Sequence, residues 1–348
     1  MERVLVTGGA GFIGSAVVRR LVGRGMRVVT LDALTYAGHR SSLRDVADAA
    51  NHRFIHGDIA DEVLISRILA EERIEGVMHL AAESHVDRSI AAPAAFVATN
   101  VAGTVALLSA TQEYWRGLSA VARRSFRFLH VSTDEVFGDL PDDTSQVNEA
   151  SPYAPSSPYA ASKAAADHFV RAWHRTHGLP VLLTHGSNTY GPYHYPEKLI
   201  PLAIVNALAG KEVSLFGSGT QRRDWLFVDD HAAALERVLI HGRVGQSYPL
   251  GGGQERSNRA VVEAICDLLD MRRPLPSGTP RRCLIRHVAD RPGHDRRYAL
   301  DTGKTERELG WRPGIAFEPG LARTVDWYLD NRWWWEPIRA GLPGSPSR

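Results

Sequence analysis

The sequence predicts an α/β fold: a Rossmann-type doubly wound parallel sheet with a smaller, interleaved C-terminal domain. Three observations predict it. A short β-branched strand, Arg3 to Val6, runs into a glycine-rich turn that opens a helix. Strand-like apolar runs then alternate with helical patterns through the first half of the chain, as a parallel sheet covered on both faces requires. An acid, Asp32, ends the second strand at the distance, about 20 residues on, where such folds place a ribose-binding carboxylate.

Taken in order, the turn reads Thr7-Gly8-Gly9-Ala10-Gly11-Phe12-Ile13-Gly14, and a helical pattern follows from Ser15 to Leu21. Gly9, Gly11 and Gly14 satisfy G-x-G-x-x-G, and Gly8 adds the wider form. Glycines let the backbone turn sharply and approach a pyrophosphate resting on a helix N-terminus. The second strand runs from Arg27 to Leu31 and ends in Asp32. An acid there predicts NAD as the cofactor rather than NADP, because it would repel a 2′-phosphate. Phe54-Ile55 leads to Gly57-Asp58-Ile59, which would flank an adenine. A strand from Gly76 to Leu80 runs into Ala81-Ala82-Glu83-Ser84-His85. A long helix is expected from Pro93 towards Tyr114, and another strand from Phe126 to Val131. Ligands of such sheets gather beyond the C-terminal strand ends, so these turns should line one crevice.

Two chemistries meet after that strand. Thr133-Asp134-Glu135 places two adjacent carboxyls at its end, and Tyr159-x-x-x-Lys163 follows. Ser157-Pro158 is a suitable helix entry, and Ala160 to His174 is alanine-rich without interior glycine or proline. Positions i and i+4 share a helix face. Lys163, with a cationic nicotinamide, is expected to favour the Tyr159 phenolate, which could accept a hydroxyl proton as hydride leaves. Neighbouring carboxyls split their pKa values into one acid and one base, suiting removal of water.

Composition is compatible with one large α/β domain and a smaller one: 348 residues, 44% hydrophobic. The net charge of +2 and the lack of basic runs with interleaved aromatics argue against nucleic acid. No signal peptide and no membrane-spanning run are expected, and the two cysteines, Cys266 and Cys283, suit a reduced cytoplasm. His85, His194 and His294 lack ligand-like spacing, so no metal site is expected. The tail Gly341 to Arg348, rich in Gly, Pro and Ser, is expected to be mobile.

The glycine motif, Tyr-x-x-x-Lys and length resemble the extended short-chain dehydrogenase/reductases that act on nucleotide sugars. Several stretches look like the dTDP-glucose 4,6-dehydratase family within them. They are Leu31-Asp32-Ala33-Leu34-Thr35-Tyr36-Ala37-Gly38, His79 to Ser89 (HLAAESHVDRS), Val131 to Gly138 (VSTDEVFG), Ser187 to His194 (SNTYGPYH), Pro196 to Pro201 (PEKLIP), Arg223-Asp224-Trp225 and Asp290 to Tyr298 (DRPGHDRRY). In sister epimerases the matching positions carry no acid pair. In uronic-acid decarboxylases and GDP-mannose dehydratases the first is typically Ser.

The resemblance implies a hydro-lyase that oxidises C4 of dTDP-glucose, eliminates water across C5 and C6, and returns hydride to C6 with bound NAD, in deoxysugar biosynthesis. Glu135 would be the base at C5, Asp134 the acid at the C6 hydroxyl, and Thr133 would bond the C4 oxygen. The implied NAD site comprises Gly8, Gly11, Phe12, Ile13, Gly14, Asp32, Ala33, Leu34, Thr35, Asp58, Ile59, Leu80, Ala81, Ala82, Ser84, Thr99, Tyr159, Lys163 and Thr189. The implied substrate site comprises Ser84, Thr133, Asn188, Lys198, Leu199, Ser214, Phe216, Arg223, Asn258, Arg291 and His294, with the arginines on the phosphates. Guanidinium groups suit that role.

The chain departs from the family pattern at Thr189, where a second Asn is usual, at His185-Gly186 for Asn-Cys, at Phe137 for Tyr, and along Gly251-Gly252-Gly253-Gln254. None of these removes a catalytic group. The expected layout is an NAD-binding domain over 1–186 plus about 224–252, including an Asp224–Ile240 strand–helix. The nucleotide-sugar-binding part takes 187–223 and 253–340. A homodimer is expected through a bundle of the helices near Pro93–Tyr114 and Pro158–His177. The residues leave thymidine and uridine, and the pathway, undistinguished. Competing readings are a UDP-glucose 4,6-dehydratase, an epimerase or decarboxylase on the same fold, and a non-catalytic NAD-binding regulator.

Overall fold

The structure, a computed structural model, describes residues 1–142 and 146–341. The tail expected to be mobile lies, beyond Gly341, outside the described residues. The βα rhythm resolves into β1 (Arg3–Thr7), β2 (Arg27–Asp32), β3 (His52–His56), β4 (Gly76–His79), β5 (Arg127–Thr133) and β6 (Val181–Gly186). Then come β7 (Asn188–Tyr190), β8 (Val213–Phe216), β9 (Arg222–Phe227), β10 (Ser247–Leu250), β11 (Glu255–Ser257) and β12 (Ile285–Val288).

The large sheet runs β3-β2-β1-β4-β5-β6-β10, all parallel. Helices cover both faces, which is why its central strands are near-continuous apolar runs rather than alternating ones. On one face the helices Phe12–Gly23 and Val228–His241 pack through Val17, Leu21, Leu235 and Leu239. On the other, Glu62–Glu71, Thr104–Gly117 and Pro158–His177 pack through Ile65, Leu69, Leu107 and Val170. The order reverses between β1 and β4, so a crevice opens at their C-terminal ends.

The helix beginning at Pro93 continues to Gly117, with a π-helical segment over Val97–Gly103. Inside it, buried Asn100 donates to the Glu83 carbonyl (3.0 Å) and to Ser162 Oγ (2.9 Å), and accepts from the Glu83 N–H (2.8 Å). This ties the β4 turn to the helix carrying Tyr159. Among the described residues this helix alone is long and apolar enough (mean hydropathy 1.5) to pass a length-and-composition test for a membrane span. Half of its apolar stretch is buried, with Leu107 and Leu108 in the core beneath the sheet. Its apolarity is that of a sheet-covering helix.

β9 differs from its expected place. The following helix returns to the large sheet, but β9 itself pairs with β7 and β11 in a three-stranded sheet. Its alternate side chains decide this: Trp225 and Phe227 enter a second, aromatic-rich core with Tyr190, Phe317 and Tyr328. The edge of the large sheet is filled by β10, whose Ser247–Leu250 pairs with Leu183–Gly186. β8 and β12 form a separate parallel pair. Tyr195 of the aromatic core, with Tyr36 and Ala37 packed against it, lines the crevice.

Candidate active site

A cleft of about 250 Å³ lies in the β1–β4 crevice. Gly8, Gly11, Phe12, Ile13, Gly14, Asp32, Ala33, Thr35, Asp58 and Ile59 line it from one side; Leu80, Ala81, Ala82, Ser84, Thr99, Tyr159 and Lys163 line it from the other. Leu34 and Thr189 do not line it. Leu34 sits at φ +50° with its side chain packed on the first core, so only its backbone N–H, donated to Asp32 Oδ1 (2.8 Å), serves the site. Thr189 instead lines a second cavity.

The cleft fits a dinucleotide. Gly8 adopts φ +70°, and a Cβ there would stand 2.6 Å from the Ala81 nitrogen. The helix Phe12–Gly23 starts at Gly11 with no side-chain cap and no acidic residue in its first turn. Its leading N–H groups are therefore available to an anion. Asp32 is fixed by accepting the Ala10 and Leu34 N–H groups, 2.8 Å each, and keeps lone pairs for a ribose diol. A Cβ on Gly14 would lie 2.1 Å from the Gly8 carbonyl oxygen, backbone that cannot step aside. Gly14→Ala is therefore expected to lower unfolding free energy by about 1–3 kcal/mol in urea titration.

A larger cavity, about 650 Å³, adjoins the cleft, and Ser132, Ser84, Tyr159, His194 and Lys198 line both. β5 delivers Thr133 to it, and a single 3₁₀ turn, Asp134–Phe137, follows. Thr133 caps that turn by accepting the Glu135 N–H (3.3 Å), so both carboxyls come to the cavity wall. The helix carrying Tyr159 and Lys163 is capped by Ser157 Oγ, which accepts the Ala160 N–H (3.1 Å), and ends at Gly178 in the left-handed region. Thr133 Oγ lies within hydrogen-bonding reach of the Tyr159 phenol.

The surroundings split the acid pair. Burial pushes Asp134 well above the ordinary carboxyl value, and Glu135 and Asp224 push it further. Its Oδ2 is buried without a hydrogen-bond partner among the described residues. Burial also raises Glu135, but Lys198, Arg223 and Arg291 pull it back. Asp134 thus keeps its proton to higher pH, while cations favour the Glu135 carboxylate.

Lys163 makes its own hydrogen bonds away from Tyr159. Its ammonium donates to the Val131 carbonyl (2.9 Å) and lies 3.4 Å from His130 Nε2. Burial lowers its pKa to about 8, against the pull of Asp167. Tyr159, meanwhile, is raised by burial and by Glu135. The chain's own groups therefore hold Tyr159 as a neutral phenol. Beneath Lys163 lies a buried network that the sequence reading missed. Asp167 accepts from Ser132 Oγ and Tyr153 Oη, 2.9 Å each, and stands 3.2 and 3.3 Å from the Nε2 atoms of His130 and His185. These residues come from β5, β6, the Pro158–His177 helix and, for Tyr153, the loop before it, far apart in sequence, so no local spacing announced them.

Every residue expected at the substrate lines the larger cavity: Ser84, Thr133, Asn188, Lys198, Leu199, Ser214, Phe216, Arg223, Asn258, Arg291 and His294. Arg223 is held by the carbonyls of Arg222 and Asp295 (2.8 Å each) and lies over the Tyr298 ring, 4.3 Å from its centroid. Neutral carbonyls orient the guanidinium without cancelling its charge. Arg291 lies over Phe216, and its Nε is buried without a partner among the described residues. Asn188 Oδ1 likewise has no partner among the described residues. His294 pairs with Asp290 (2.6 Å), and His194 stacks on Phe12 with centroids 4.2 Å apart. His231, also missed, enters the cavity wall from the Val228–His241 helix.

A family model described as GDP-mannose 4,6 dehydratase matches residues 5–324. A dTDP-glucose 4,6-dehydratase of Xanthomonas campestris pv. campestris (strain B100) is 57% identical over 345 residues, 99% of this chain and 97% of the relative. The chain belongs to the dTDP-glucose 4,6-dehydratase branch of that family. Another member of the branch, dTDP-glucose 4,6-dehydratase 1 of Escherichia coli (strain K12), is 53% identical, covering 97% of this chain and 96% of its own. Among solved structures, the dTDP-glucose 4,6-dehydratase DesIV from Streptomyces venezuelae, with NAD bound, superposes with a TM-score of 0.88 at 47% identity, covering 97% and 99% of the two chains. The UDP-glucose 4-epimerase of Thermus thermophilus in complex with NAD shares the fold at a TM-score of 0.82 and 30% identity, over 94% of this chain and 99% of its own. Fold alone therefore spans dehydratases and epimerases; the acid pair beside Tyr159 is the feature that the sequence reading used to separate them.

Proposed function

We propose that the chain is a dTDP-glucose 4,6-dehydratase, a hydro-lyase that converts dTDP-glucose to dTDP-4-keto-6-deoxyglucose and water. One observation carries the reading: two buried carboxyls, driven apart in acidity, adjoin a tyrosine at the junction of a dinucleotide cleft and a cation-lined cavity. The named relatives and the NAD-bound DesIV structure support it.

NAD, bound in the β1–β4 cleft by the Gly8–Gly14 turn and Asp32, supplies the hydride acceptor at C4 and the donor at C6. The other roles belong to the chain. Arg223 and Arg291 hold the substrate diphosphate, Asn188 and Lys198 align it, and Asn258 lies at the nucleotide half. Thr133 orients the C4 oxygen. Tyr159 Oη takes the C4 hydroxyl proton. Because burial and Glu135 raise Tyr159, it acts as a base only once a ligand brings positive charge beside it. Glu135 then takes the acidified C5 proton, and Asp134 gives its proton to the departing C6 oxygen.

The test is a label. With dTDP-glucose deuterated at C4, the deuterium should appear at C6 of a product that has lost water. Deuterium retained at C4, or no water lost from any nucleoside-diphosphate glucose, overturns the reading. Arg291→Met is expected to weaken dTDP binding about 10- to 100-fold, the range for a lost charged hydrogen bond, measured by calorimetry. The same reading includes a homodimer through the Pro93–Gly117 and Pro158–His177 helices, which expose Val97 and Phe169. Light scattering that found only monomer would count against it. A cytoplasmic location fits two unpaired thiols, Cys266 and Cys283.

A further inference from the structure

Two departures from the family pattern, Gly186 and Thr189, meet at one side chain. His231 lies on the first turn of the Val228–His241 helix and is 1% exposed. A Cβ on Gly186 would stand 2.7 Å from its Cε1 and 3.0 Å from its Nε2. The absence of a side chain at the end of β6 is thus what gives the imidazole its place. Register sets Gly186 beside Thr133, so the ring sits next to the reacting centre.

Two contacts of Thr189 bear on the tautomer. Thr189 Oγ1 donates its single proton to the Ser187 carbonyl (3.1 Å) and lies 2.8 Å from His231 Nδ1. With its proton on the Ser187 carbonyl, the hydroxyl oxygen is an acceptor and Nδ1 carries the hydrogen. Burial lowers the pKa of the ring to about 4, so it is neutral at working pH. Nε2 is left as a bare acceptor, buried and without a partner among the described residues. A buried acceptor without a donor is costly, and one facing a ligand cavity invites a donor from the ligand. His231, Thr189, Thr133 and Tyr159 line the same cavity. The dinucleotide cleft ends at Ser132 and Tyr159, one strand away from β6.

We infer that His231 Nε2 accepts a hydrogen bond from the carboxamide NH₂ of the nicotinamide, with Thr189 locking the tautomer that makes it an acceptor. This rests on the NAD-dependent reading above and adds to it a positioning group for the ring that exchanges hydride.

Calorimetry on the full-length protein, freed of bound cofactor, tests the inference with NAD and with 3-acetylpyridine adenine dinucleotide, whose methyl ketone lacks the NH₂. The wild type should bind NAD about tenfold more tightly than the analogue, the usual effect of one hydrogen bond. His231→Phe should bind both alike, while His231→Gln, whose amide oxygen can accept, should restore part of the preference. Circular dichroism checks that each variant folds. If His231→Phe does not, Thr189→Val should reduce the preference by freeing the tautomer. A preference unchanged in the folded variants overturns the inference while leaving the NAD reading intact. A loss of affinity for dTDP-glucose with unchanged cofactor preference also overturns it, assigning the acceptor to a sugar hydroxyl. If neither dinucleotide binds the wild type, the NAD reading falls, and this inference with it.

Discussion

Asp134→Asn is expected to slow water loss by about 10²- to 10⁴-fold, the range for removal of a general acid, while sparing oxidation at C4. Stopped-flow absorbance in the near ultraviolet should then show reduced cofactor accumulating, because its consumption waits on elimination. The acidities give the pH signs. Glu135 must be ionised to act, so the rate of water loss should fall as pH drops through its raised pKa. Asp134 must be protonated, so the rate should fall again as pH rises through its own, more strongly raised value. The pair titrates as a unit, and the two limbs are macroscopic. Asp134→Asn should remove the alkaline limb, since the amide neither ionises nor donates an acidic proton. Unchanged turnover, or an alkaline limb that persists, would show that another group delivers the proton.

Tyr159→Phe is expected to lower turnover by a similar 10²- to 10⁴-fold with the opposite spectral signature. Without the phenol the C4 hydroxyl proton has no acceptor, so no reduced cofactor should appear even in single-turnover experiments. The phenyl ring keeps its packing, including the edge contact with Phe96 (centroids 6.3 Å apart), so stability should change little. Near-ultraviolet absorbance developing at the wild-type rate would remove Tyr159 from the first step. Comparing the two variants separates oxidation from elimination without any change of substrate.

Much of this site was legible locally. The Gly8–Gly14 turn, Asp32, the Thr133–Glu135 triplet and the Tyr159/Lys163 pair each lie within a few residues of a strand end or a helix entry. Local backbone rules place such residues, and the structure lines one cleft and one cavity with them. The cations at Lys198, Arg223 and Arg291 were found only through resemblance, since a lone arginine carries no spacing signal. What failed was what depends on distant partners. Leu34 sat inside a cleft motif, yet its left-handed backbone turns the side chain into the core. Lys163 was expected, with a cationic nicotinamide, to favour the Tyr159 phenolate; its hydrogen bond to the β5 backbone and its approach to His130 could not be read from the spacing. β9 read as a further strand of the large sheet until an aromatic core elsewhere claimed Trp225 and Phe227.

By itself, the sequence determined the order of strands and helices in the first half, the dinucleotide turn and the place of the acid pair at a strand end. Those follow from short-range steric and hydrogen-bonding preferences that need no partner. Only the tertiary structure sets the acidities of the two carboxyls apart, because Asp224 raises Asp134 while Lys198 and Arg291 lower Glu135. Only it brought His231 against Gly186 and Thr189, or set Asp167 beneath Lys163. Acidity and acceptor geometry are set by charge and burial across space, and residues far apart in the chain become neighbours only when the sheet and its cap close together.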